Sequence, residues 1–173
     1  MKKMKFISLF LIFFLNFAFC YELEFKTLSA DFIQTIKNKD SKIIYSGNFF
    51  ATNSAAFWSY KTPNLKDIYF NKTQVVVIEP ELEQVILTNL KDIPNLIKVL
   101  KNAKKLKPNL YSANFNDILY KIELKDSLLY KIDYKDNLDN EVEIVFSEVK
   151  KDENLNQDLF LPKIPDGFDI IMQ

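Results

Sequence analysis

No histidine and no arginine occur in this chain, and it has only one cysteine and two glycines. Without histidine, the commonest general base and the commonest metal ligand are both missing. Every basic residue is a lysine, so no planar guanidinium fork is present to read guanine or clamp a phosphate, and a nucleic-acid partner is disfavoured. Two glycines cannot form a glycine-rich phosphate loop. Cys20 is the lone cysteine; whether it is removed or acylated on export, the chain cannot make an internal disulfide, and its stability rests on burial.

Aromatic and aliphatic side chains are plentiful: 48% of the 173 residues are hydrophobic and 14% are aromatic, enough for one domain with a sizeable core. The first 20 residues stand apart. Lys2, Lys3 and Lys5 precede an apolar run from Phe6 to Phe19, the pattern of a secretory signal peptide and too short for a spanning helix. Ala18 and Cys20 fit the small residues of an ordinary cleavage site, which would start a soluble exported chain at Tyr21, with residues 21–173 as a single domain. The alternative is acylation of Cys20, though the bulky Phe19 is a poor residue to precede it. Removing the signal-peptide lysines leaves 20 basic against 23 acidic residues, so no strong global charge draws in a polyanion.

From Thr27 onward the chain reads as short strands separated by turns. In DILYKIELK, Ile118, Tyr120, Ile122 and Leu124 share one face and Lys125-Asp126-Ser127 turns the chain. In LLYKIDY, Leu128, Tyr130, Ile132 and Tyr134 oppose Leu129, Lys131 and Asp133. In the third, Val142, Ile144 and Phe146 oppose Glu143, Val145 and Ser147. This period-2 patterning predicts an antiparallel sheet with one wet face. TLSADFIQTI, KIIYSGNFFA, AAFWSY, KDIYF, QVVVI and EQVILT are strand-length and rich in β-branched and aromatic residues. Gly47 inside KIIYSGNFFA predicts a bulge or a close backbone approach.

One segment, DIPNLIKVLKNAKKLKP, breaks the pattern. Asp92 as N-cap, Pro94 in the first turn and an apolar face of Ile93, Leu96, Ile97, Leu100, Ala103 and Leu106 predict an amphipathic helix, with lysines 98, 101, 104 and 105 largely opposite and Pro108 as its stop. A curled antiparallel sheet with this helix over its mouth is the simplest arrangement.

Carboxylate pairs such as Glu79 with Glu81 and Glu141 with Glu143 lie among alternating surface residues and read as solvated positions rather than a glycosidase pair. Asp136, Asp139 and Asp152 do not have the spacing of a calcium loop. A small hydrolase would have to bring two such carboxyls together in a cleft, whereas a purely structural β protein would have a filled interior.

Taken in order, several short motifs resemble the LolA family of periplasmic lipoprotein carriers: ADFIQ at 30–34, YSGNFF around Gly47, Trp58-x-Tyr60-x-x-Pro63, IEPELEQV with Pro80, Leu82 and Gln84, DIPNLI, the late hairpins of DSLLYKIDYKDNLDNEVEIVF, and LPKIPDGFDII. The resemblance covers nearly the whole chain after residue 20. It implies a mainly β fold, an incomplete and strongly curved antiparallel barrel with a helical lid over an apolar cavity. It further implies a monomeric carrier that is not an enzyme and needs no cofactor or metal. Such a carrier takes acylated lipoproteins from an ATP-driven (ABC-type) inner-membrane transporter to an outer-membrane acceptor. An acceptor of the same fold is the alternative if Cys20 is acylated. On that fold the cavity wall is expected from Phe32, Phe49, Trp58, Tyr60, Ile68, Phe70, Val76, Leu96 and Leu100. Where the family carries a basic residue, an arginine that latches the lid, and a proline, this chain has Thr52 and Asn53, with Ala56 two residues before Trp58. Its N-terminal helix would also be shorter, with only Tyr21 to Lys26 before the first strand. An acyl chain of roughly 16 carbons is worth about 0.8 kcal/mol per CH₂ buried, on the order of 13 kcal/mol gross.

Overall fold

The computed structural model describes residues 23–71, 74–89 and 96–172. The expected helix start at Asp92, Ile93 and Pro94, and the signal peptide with Cys20, lie outside them.

The first six strands occupy the predicted segments: β1 Thr27–Lys37, β2 Lys42–Thr52, β3 Ala56–Thr62, β4 Lys66–Phe70, β5 Gln74–Glu79 and β6 Gln84–Asn89. Each pairs antiparallel with its chain neighbour, forming one meander. After the helix α1 (Leu96–Lys101), a second meander follows: β7 Lys104–Lys107, β8 Leu110–Phe115, β9 Ile118–Lys125, β10 Leu128–Lys135 and β11 Glu141–Lys151. The two meanders join where β1 pairs with β11, and β12 (Asp169–Met172) adds parallel to β6. The result is one unclosed, curved sheet in the order β12-β6-β5-β4-β3-β2-β1-β11-β10-β9-β8-β7.

This order explains where the helix sits. β6 lies near one end of the sheet and β7 at the other, so the chain between them must cross the open side, and α1 is the described part of that crossing. Six residues are too few to be stable alone; Ile97, Val99 and Leu100 are buried and hold the helix against the inner face.

The helix ends earlier than predicted, at Lys101. The Asn102 side chain donates to the Lys98 carbonyl (2.8 Å), and the Ala103 N–H tightens onto the Leu100 carbonyl (3.2 Å). A side-chain amide that competes for the last turn's carbonyls is an effective stop. Lys104 and Lys105 therefore belong to β7 rather than a helical face, and Leu106, predicted to pack inward, is 62% exposed.

Strand parity follows the sequence in β9 and β11. It fails in β10, where a bulge between Leu129 and Lys131 shifts the pairing with β9, so that Leu129 is buried and Tyr130 is exposed. One extra residue reverses the faces on its near side. The tight turns at Asn116-Asp117 and Asp126-Ser127 place both central residues in the left-handed region, as two-residue hairpins require.

Gly47 meets both predicted conditions. The β2–β3 register shifts between Ser46 and Gly47, and a Cβ there would lie 2.0 Å from the Ser59 carbonyl oxygen and 3.0 Å from the Phe32 ring.

Burial divides into two clusters. The larger fills the inner face, from Leu28, Phe32 and Phe49 through Trp58 and Phe70 to Tyr120, Ile132, Ile144 and Phe146. The smaller lies on the outer face of the first meander, where Phe57, Tyr69, Val76, Ile78 and Val85 pack beneath Phe160. Phe160 comes from a 3₁₀ turn, Gln157–Phe160, begun by Asn156, whose side chain accepts from the Asp158 N–H (3.0 Å).

Candidate functional site

Alternation along β3 sends Phe57 to the outer cluster and Trp58 inward. Trp58 packs at 4.3 Å from the Phe49 ring and edge-on to Phe32 at 4.9 Å; Phe32 also meets Tyr60 edge-on at 5.0 Å. Phe32 and Phe49 are essentially fully buried, so they form a floor beneath the rings that face the interior space.

That space is a hollow of about 180 Å³ lined by Trp58, Tyr60, Ile68 and Phe70 from the first meander, Leu96 and Val99 from α1, and Tyr120, Ile132, Tyr134 and Ile144 from the second, with Gln34 between. It adjoins a second hollow of about 420 Å³ through Gln34, Tyr60 and Ile68. Tyr45, Leu65, Lys66, Glu79, Glu81 and Leu82 surround this outer part. Together they give an apolar chamber under the helix and a more polar mouth, in the size range of ligand clefts, about 300–1,000 Å³.

The carboxylates at the mouth are each engaged. Glu79 receives Lys66 at 2.8 Å and the Gln84 amide at 2.5 Å, and the Lys66 hydrogen bond holds its carboxyl below the ordinary 4.5. Glu81 accepts from the Asn64 amide at 2.6 Å. Glu79, held ionised by Lys66, is poorly suited to act as a general acid. Asp136 serves a turn: although its partial burial raises its pKa, the Asn140 side chain and the Asn140 and Leu138 N–H groups hold it below the ordinary carboxylate value.

Polar heads also stand inside the chamber. The Tyr60 hydroxyl donates to Gln34 Oε1 at 3.0 Å. Gln34 is a buried side chain on the inner face of β1, only 8% exposed. Tyr120, 2% exposed, has a hydroxyl sealed from solvent with no hydrogen-bond partner among the described residues. Its ring lies 4.7 Å from that of Tyr134. Burial pushes the Tyr120 hydroxyl up to about 12 and raises those of Tyr60 and Tyr134 as well; Tyr134 is raised further by the nearby Tyr120 and Tyr60 oxygens and by the Asp136 carboxylate. All three remain neutral donors at any physiological pH. A buried hydroxyl left unpaired costs roughly 1–3 kcal/mol.

The expected wall residues thus divide. Trp58, Tyr60, Ile68, Phe70 and Leu96 face the chamber, while Phe32 and Phe49 support it from below. Leu100 faces a separate groove of about 810 Å³ on the other side of α1, whose Glu24, Lys26, Lys101 and Asp152 give it a charged rim. Val76 requires a correction: it points to the outer face, in the cluster under Phe160, while its neighbours Val75 and Val77 take the inner one. The run QVVVI is apolar at every central position, so alternation could not set its parity. Sequence reasoning missed Val99, Tyr120, Ile132, Tyr134 and Ile144 as wall residues, although four of the five lay on faces already marked as apolar. Gln34, a polar residue on the same parity as Phe32, was the available signal for the polar heads.

Lys101 at the end of α1 donates to the Asn53 carbonyl at 3.0 Å, tying the helix to the β2–β3 turn. The tie falls where the sequence lacks the expected basic latch.

A curved, unclosed, mainly antiparallel sheet cupping an apolar chamber beneath a crossing helix defines the class: a half-barrel β protein with a helical cover over an internal hollow. The family model described as "Outer membrane lipoprotein carrier protein LolA" matches residues 24–98. The outer-membrane lipoprotein carrier protein of Campylobacter jejuni is 40% identical over 164 residues, covering 94% of this chain and 97% of that one. That of Helicobacter pylori is 31% identical over 149 residues, covering 86% and 81%. The crystal structure of an uncharacterized conserved protein from Thermus thermophilus shares the fold, with a TM-score of 0.55 at 10% identity over 88% of this chain and 94% of that one. The chain belongs to the LolA family of outer membrane lipoprotein carrier proteins.

Proposed function

We propose that this protein carries acylated lipoproteins through the periplasm, enclosing their acyl chains in the chamber between the two meanders. The observation that carries this reading is the chamber itself: Trp58, Ile68, Phe70, Leu96, Val99, Ile132 and Ile144 converge on unfilled space beneath a short helix, in a chain of this family. A filled interior would leave no place for a chain worth on the order of 13 kcal/mol in burial. On this reading residues 1–20 are a cleaved signal peptide. Cargo arrives from an ATP-driven inner-membrane transporter and leaves to an outer-membrane acceptor, and the carrier catalyses nothing itself.

Release demands a cover that can move, and α1 suits it: six residues, secured by three buried side chains and the Lys101–Asn53 tie. In this chain the latch comes from the helix, with Lys101 reaching the turn in place of an arginine reaching the lid. Native mass spectrometry of the chain from Tyr21, mixed with a triacylated lipopeptide or its unacylated form, tests the proposal. A one-to-one complex with the acylated peptide alone is expected. Equal binding of both forms, or of neither by folded protein, overturns it.

A further inference from the structure

We infer that the chamber contains a built hydrogen-bonding seat, formed by the hydroxyls of Tyr120 and Tyr134 with the Gln34 amide, that receives the ester carbonyl oxygens at the head of the acyl chains. The inference rests on the carrier reading and adds to it a specificity for how the chains are attached.

Three observations converge. First, Tyr120 is a chamber-wall residue, almost wholly buried, whose hydroxyl has no partner among the described residues. Phenylalanine would pack there without leaving a polar group unpaired, so the hydroxyl works against the empty state and calls for an acceptor that the described residues do not supply. Second, further donor capacity lies beside it. Tyr134 lies ring to ring with Tyr120. Gln34 uses Oε1 to accept from Tyr60, which leaves its amide N–H groups available. Tyr120 and Tyr134 line the inner hollow, and Gln34 lines both, so the seat reaches from the apolar chamber to the boundary with the polar mouth at Gln34. A chain inserted tail-first would bring its carbonyl to this boundary.

Third, the seat is uncharged. Among the described residues the chamber wall contains no Lys, Asp or Glu, and Lys66 at the mouth is engaged by Glu79. Burial keeps the phenols protonated. Neutral donors with no cation suit a neutral acceptor, an ester carbonyl, better than the carboxylate of a free fatty acid, which would be stripped of water without a counter-charge.

The experiment compares three probes: a diacylglyceryl-cysteine peptide with ester-linked palmitoyl chains, its ether-linked analogue with hexadecyl chains, and free palmitate. Trp58, the only tryptophan and a chamber-wall residue, reports occupancy by its fluorescence. The unmodified protein should bind the diester about fivefold tighter than the diether, the factor expected for one hydrogen bond. Tyr120→Phe should bring that ratio close to one, by weakening diester binding more than diether binding, and should raise the Tm of the empty protein. Tyr134→Phe, a second variant that keeps its ring, should reduce the ratio as well. Equal affinity for diester and diether in the unmodified protein, or an unchanged ratio in Tyr120→Phe, overturns the seat while leaving the carrier reading standing. Palmitate bound as tightly as the diester, with the same loss in Tyr120→Phe, overturns the assignment to a neutral carbonyl. Failure of the folded protein to bind either lipopeptide overturns the carrier reading, and the seat with it.

Discussion

Phe57 and Trp58 are adjacent in one strand, yet they serve two unlike regions. Phe57 stacks on Tyr69 at 4.5 Å with rings nearly parallel, in an outer cluster that the chain itself covers with Phe160. Trp58 enters the inner face, where packing stops short of filling the space. Both regions are apolar and ring-rich, so composition cannot tell them apart. The difference lies in the cover: a tail that completes one core, and a short crossing helix over the other. A ring-rich strand can thus brace a fold with one face and keep a chamber open with the other.

The sharpest way to break this comparison is a large-to-small change on each side. Phe57→Ala, in the filled cluster, should lower unfolding free energy by about 3–5 kcal/mol, read from urea denaturation. Protein that remains folded should keep its affinity for acylated peptide.

Alkaline titration comes next. Burial pushes the hydroxyls of Tyr69, in the outer cluster, and Tyr120, in the chamber wall, up to about 12 from 10.0. Because burial raises the folded values, these phenols ionise less readily in the folded than in the unfolded chain, so stability is unaffected below pH 10 and declines as pH rises toward 12. After discounting for solvent screening, each should contribute about 1–2 kcal/mol to that loss. Tyr69→Phe and Tyr120→Phe should each flatten the decline, measured as urea midpoints between pH 9 and 12; a decline unchanged in both would assign it to other groups.

A change at the chamber surface should separate binding from folding. Ile68 is half-buried and faces both hollows, so Ile68→Glu can keep its charge near the mouth. We expect stability within about 1 kcal/mol of the parent and at least a tenfold loss of acylated-peptide affinity. A stability loss as large as that of Phe57→Ala would show that the chamber wall is ordinary core. The smallest effect is expected from Lys101→Met, which removes an exposed tie to Asn53 worth roughly 0.5–1 kcal/mol. Amide exchange should quicken in residues 96–101 and stay unchanged in β9–β11.

Sequence patterning made the strands legible wherever one face was wet and the other dry, as in β9 and β11. It failed where that contrast was absent. QVVVI is apolar on both sides because both sides are covered, so Val76 could not be placed. KKLK in β7 is exposed throughout and carries no buried stripe to mark it as a strand. In β10 the contrast was present, but the bulge at Tyr130 reversed it locally. The chamber was only half legible for a different reason: its wall draws on both meanders, and the β1–β11 pairing that brings them together has no local signature.

That pairing also governs time. Every strand pairing within β1 to β6 joins strands adjacent in the chain, but Lys37 of β1 must find Glu141 of β11 across most of the molecule. Pairings so distant in sequence form late, because the intervening chain must be gathered before they are rewarded. As the polypeptide emerges N-terminus first, its early hairpins can assemble while the enclosing wall is still unmade. An unfinished molecule therefore presents no closed chamber, and the capacity to hold a greasy cargo arrives only with the completion of the chain.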